Sequence, residues 1–195
     1  MVKSYANNIT SFLICNDVIH QEESNIYTYG FEILIAFIIN LIIIFTIGII
    51  SNKFIHTVLF LLFYCPIRQF SGGYHAENHS KCILVFSFIY LINIIILNLF
   101  MYNISNILVI AITLVSSIGI IILSPLEHRH NPLSKLEIKK YRNIVTVLVS
   151  IAILLVILGI RNINTYEYTL FISSAICWIF IMLNLGVLKG KGELK

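Results

Sequence analysis

The stretch Cys65-Pro66-Ile67-Arg68-Gln69-Phe70-Ser71-Gly72-Gly73-Tyr74-His75-Ala76-Glu77-Asn78-His79-Ser80-Lys81-Cys82 concentrates groups that can do chemistry. Two histidines, a glutamate and a cysteine follow Gly73 within ten residues. Ordinary short loops between apolar runs rarely gather that set. A cysteine at a membrane–water boundary becomes a nucleophile when its thiolate is populated. The free thiol titrates near ~8.5, and a neighbouring imidazolium favours the anion. The same imidazole can then protonate a leaving amine. A Cys/His pair therefore suffices for cleaving a peptide bond through a thioester.

Two histidines compete for the partner role. His79 and Cys82 stand at i, i+3 and would be neighbours on a helix. His75 and Cys82 stand at i, i+7, roughly 10.5 Å apart along a straight helix, which exceeds hydrogen-bond reach. Local geometry favours His79 unless the chain bends between 75 and 82. Gly72-Gly73, which permits a sharp turn or a close backbone approach, lies just before His75. Pro66 reads as a break in the preceding helix. Zinc is the other chemistry to weigh, since His75, His79 and Cys82 at i, i+4, i+7 share a helix face. The metalloprotease pattern HExxH needs glutamate directly after the first histidine. Glu77 comes two residues after it, about 200° around the helix, so no metal and no cofactor is expected. The plain alternative is a loop whose polar residues only meet water.

These residues have to be held by membrane helices. The chain has 195 residues, of which 58% are hydrophobic and only 11% charged, too few polar groups for a soluble domain of this size. Five apolar runs are long enough to cross: 31–50, 82–101, 104–124, 144–160 and 168–188. A sixth, 54–65, covers roughly 18 Å of the ~30 Å hydrocarbon core. It must borrow flanking residues, meet a thinned bilayer, or cross only in part. With six spans and a cytoplasmic N-terminus, only Lys53 and Arg161 of the 13 basic residues fall outside. That is the bias of the positive-inside rule, and dropping the short span spoils it. The expected fold is an all-α polytopic membrane helix bundle with both termini cytoplasmic. It forms a single membrane domain over 1–195, with an arm at 1–29, a site loop at 66–81 and a basic loop at 125–143. The mostly polar first 29 residues show no removable signal. Tyr5, Ile9, Phe12 and Leu13 are spaced for an amphipathic helix on the inner leaflet, the alternative being a partly ordered tail. Asn40, Asn93 and Asn98 lie within spans, where asparagine commonly bonds between helices. The net charge of +4 gives no reason to expect a nucleic-acid partner.

At Arg68 through Cys82 the sequence resembles the accessory gene regulator protein B (AgrB) family of membrane endopeptidases. The matching pattern is Gly72-Gly73-Tyr74-His75-Ala76, with Cys82 seven residues after the histidine. A second stretch supports it: Ser124-Pro125-Leu126-Glu127, Asn131-Pro132-Leu133 and Lys139-Lys140-Tyr141-Arg142. The resemblance implies that His75 and Cys82 are the catalytic pair, overriding the local preference for His79, and that 75–82 is bent. It implies an AgrD-type precursor peptide lying on membrane lipid at the cytoplasmic face of the cell membrane. Cys82 would cleave off the precursor's tail and hold the peptide as a thioester. An internal cysteine or serine would then close a thiolactone or lactone ring. A homodimer is also implied. The precursor's tail is acidic in such systems, so Lys135, Lys139, Lys140 and Arg142, helped by Arg68 and Lys81, are candidates to hold it. Equally, these charges can simply enforce topology and meet anionic lipid. Glu77 is a candidate to orient the imidazole.

Cys15, Cys65 and Cys177 read as inert, with Cys65 a possible helper because of its position beside the loop. The competing function is a small transporter or assembly subunit without catalysis. Transport predicts ionisable residues inside the spans. Apart from Glu32 at an edge, the spans hold almost none, which favours chemistry at one interface.

Overall fold

The computed structural model describes residues 2–72, 79–100, 104–126 and 133–192. Its regular elements are helical throughout: α1 (Val2–Cys15), a 3-10 turn at Gln21–Glu23, α2 (Ser24–Ile50), α3 (Phe54–Ser71), α4 (His79–Phe100), α5 (Asn106–Leu123), α6 (Lys135–Gly159) and α7 (Ile163–Gly192). Six of them, α2 to α7, are long and apolar enough to cross a membrane. The chain is an all-α, multi-pass membrane protein, as its hydropathy requires.

Two compact units divide the chain. One comprises Met1–Ile50 and Ala76–Leu91, the other Ser51–His75 and Ile92–Lys195. In the first, α1 packs along α2. Ala6 and Thr10 are buried, and the Thr10 hydroxyl donates to the Ala6 carbonyl (3.0 Å) while accepting from Thr28 Oγ1 (3.0 Å). The arm thus begins with a helix, Val2–Cys15, whose Tyr5, Ile9 and Phe12 are exposed. Only 17% of the spanning stretch of α2 is buried, as suits a helix that is apolar on every side.

In the second unit α7 is the central helix. It packs against α3, α5 and α6 and buries half of its spanning stretch. Lipid tails are as apolar as leucine, so close packing and polar contacts must hold such helices together. Thr113 and Ser173 hydroxyls meet at 2.7 Å, joining α5 to α7. Asn93 accepts from Trp178 Nε1 at 3.1 Å, joining α4 to α7. Of the three asparagines, Asn93 does what was expected, whereas Asn98 is exposed and the buried Asn40 Oδ1 has no partner. Gly119 lets the Phe180 ring sit against the backbone of α5, where a Cβ would overlap it.

Helix α3 corrects the reading of Pro66. The proline lies inside the helix, which continues to Ser71. One backbone bond is lost, yet buried Phe60, Phe63, Tyr64 and Ile67 carry the helix on, packed against α6 and α7. The short apolar run therefore borrows its flank: 18 residues give about 27 Å. The segment between α3 and α4 is correspondingly shorter than 66–81. The basic stretch changes likewise. Ser134 and Glu137 form a reciprocal capping box (2.8 and 3.3 Å) that starts α6 at Lys135. Lys135, Lys139, Lys140 and Arg142 are thus helical rather than part of a loop.

Candidate functional site

Helix α3 ends at Gly72, whose φ of +73° is the left-handed conformation that glycine adopts without strain. Gly72 forms a single parallel β-bridge with Leu126. The Leu126 N–H donates to the Ser71 carbonyl at 2.9 Å. A Cβ at Gly72 would overlap the Leu126 carbonyl oxygen and stand 3.2 Å from its nitrogen. The close backbone approach anticipated at the glycines is realised at Gly72, and the partner is the second polar stretch. Arg68 Nη1 donates to the Gly72 carbonyl. Arg142 Nε donates to the Ser124 carbonyl at 3.2 Å. The Phe70 and Tyr141 rings meet edge-on, with centroids 5.4 Å apart. Ser71 and Ser124 are completely buried. The end of α3, the end of α5 and the start of α6 converge on this corner.

Gly73, His75 and Glu77 lie outside the described residues, as does Glu127. His79 is the first residue of α4, and Cys82 follows one turn later. Cys82 is exposed. Lys139 and Lys140 are exposed on α6. Arg68, a candidate for the precursor's tail, donates from its guanidinium to the Gly72 carbonyl.

A second polar cluster escaped the sequence reading. Lys53, just before α3, forms an ion pair with Glu167 in the first turns of α7. His56 Nε2 lies 3.4 Å from the other carboxylate oxygen, and its ring stacks on Tyr168 at 4.4 Å. These side chains are largely buried. The cluster occupies the end of α3 opposite the Gly72 corner, about 22 Å along the helix. It was missed because Lys53 and Glu167 are 114 residues apart and each stands alone in sequence. The spacing of Lys53 and His56 at i, i+3 was the available hint.

The family described as Accessory gene regulator B matches residues 6–183, which takes in the arm, the Gly72 corner and both polar stretches. The chain belongs to the accessory gene regulator B family. An AgrB-like protein of Clostridium perfringens (strain SM101 / Type A) is 34% identical over 64 residues, covering 33% of this chain and 30% of that relative. The chain thus spans under a third of that curated relative's length in the match. No solved structure matches it. Membership of the AgrB family links the chain to the accessory gene regulator system of quorum sensing.

Proposed function

We propose that the chain is a membrane cysteine endopeptidase that matures a quorum-sensing peptide precursor of the AgrD type. The observation that carries this is the pattern Gly72-Gly73-Tyr74-His75-Ala76 followed by Cys82, lying within the family match. An exposed Cys82 in the first turn of α4 supports it. A position in the first helical turn favours negative charge, as an anionic sulfur needs.

His75 takes the thiol proton as the sulfur attacks the carbonyl carbon before the precursor's tail. The tetrahedral intermediate collapses, and His75 gives the proton to the departing amine. The peptide is left as a thioester on Cys82. An internal cysteine or serine then attacks that carbonyl. Its proton returns through His75 to the Cys82 sulfur, and a thiolactone or lactone leaves. For a thiolactone, one thioester replaces another, so excluding water matters more than driving force. The charge bias supports a site at the cytoplasmic face of the cell membrane, with both termini on that side. A homodimer in contact with membrane lipid is part of the same reading. Co-expression with a precursor, followed by mass spectrometry of the released tail, is the direct test. Cleavage that persists in both Cys82→Ala and Cys82→Ser would sink the thiol mechanism.

Among the described residues, the Lys53–His56–Glu167 cluster favours transport instead, because ionisable groups in or beside spans can mark transport pathways. The lysine and carboxylate are paired with each other, however, which suits a clamp between α3 and α7 better than a carrier site.

A further inference from the structure

The Gly72 corner joins two helix ends, and each is met by an arginine. The last carbonyls of a helix have no partner within it, and a cation there complements the dipole. Arg68 serves the end of α3 through the Gly72 carbonyl. Arg142, reaching across from α6, serves the end of α5 through Ser124, its C-cap. Two residues beyond Ser124, the Leu126 N–H closes onto Ser71. Leu126 fills the space that a side chain on Gly72 would need. Tyr141, adjacent to Arg142, rests its ring against Phe70 in the last turn of α3. Two independent contacts from the first turns of α6 thus brace the corner.

We propose that Arg142 is a positioning residue. By capping α5 at Ser124 it holds Leu126 against Ser71 and Gly72, three residues before His75 in the sequence. This rests on the endopeptidase reading and assigns Arg142 a different task from holding an acidic tail. The guanidinium acts through the backbone and touches no reacting atom.

The test uses the full chain in lipid nanodiscs with two precursor peptides, one with an acidic tail and one with a neutral tail. In Arg142→Gln, kcat falls about 10-fold on both peptides while KM stays within about twofold. Amide exchange at Leu126 quickens, and exchange at Ala175 and Ile176 in α7 stays as in the wild type. Leu126→Pro, which deletes the N–H donor and alters no charge, gives the same loss of kcat. A rise in KM confined to the acidic-tailed peptide, with kcat retained, would show tail capture and overturn the proposal. Unchanged exchange at Leu126 in Arg142→Gln would overturn it too. A wild-type chain that cleaves neither peptide removes the endopeptidase reading, while the exchange comparison still judges the brace.

Discussion

At the scale of single residues, the two histidines beside Cys82 make different predictions. With His75 as the base, His75→Ala abolishes tail release and His79→Ala retains most of it. The opposite pattern, read by mass spectrometry of the precursor, would return the role to His79. General acid–base groups contribute roughly 10²- to 10⁴-fold, so the difference is easily resolved. Gly72→Ala has a structural reason to fail, combining a left-handed φ with an overlap onto Leu126. It is expected to cost about 1–3 kcal/mol of stability, measured by denaturation in detergent, and to lower activity. Gly72 was legible in sequence because a glycine pair after an apolar run has few other purposes. The carbonyl partners of Arg68 and Arg142 were not, since charge alone does not distinguish a backbone cap from a site for an acidic tail.

Among the elements, α3 shows what hydropathy can and cannot give. Its apolar core was readable, but its length was not. Pro66 signals a break in water-exposed sequence, whereas inside a packed span one lost bond does not outweigh the burial of Ile67 and Ser71 beyond it. The far end of α3 is tied to α7 through Lys53 and Glu167, with His56 alongside. A double-mutant cycle on Lys53→Met and Glu167→Gln should return a coupling of about 1 kcal/mol, between a surface pair and a fully buried one. Strictly additive single effects would mean that the pair contributes nothing. Helix α6 begins earlier than its apolar run because Ser134 and Glu137 cap it. That capping box was present in the sequence as Ser-x-x-Glu and went unread beside the charges.

Across the whole molecule, six apolar helices and the bias of basic residues predict a definite orientation. Ser134, between α5 and α6, and Asn162, between α6 and α7, flank the same span. Cysteines placed at these two positions should react with a membrane-impermeant reagent from opposite sides of sealed vesicles. Cytoplasmic labelling at Asn162 would reverse the topology. The class of the fold was legible because a bilayer admits few solutions to unpaired backbone groups. The pairing of one polar stretch with the other was not, because a single bridge between Gly72 and Leu126 leaves no periodic trace in sequence.

That bridge also bears on how the two stretches can be inherited. Each supplies backbone that the other is shaped to receive, so neither can diverge freely. A chimera that imports only 124–142 from a relative would set foreign main chain against Gly72. Hybrids that exchange 68–72 together with 124–142 should keep working where single-segment swaps fail. On that expectation the two stretches, distant in the chain, would move between relatives as one module.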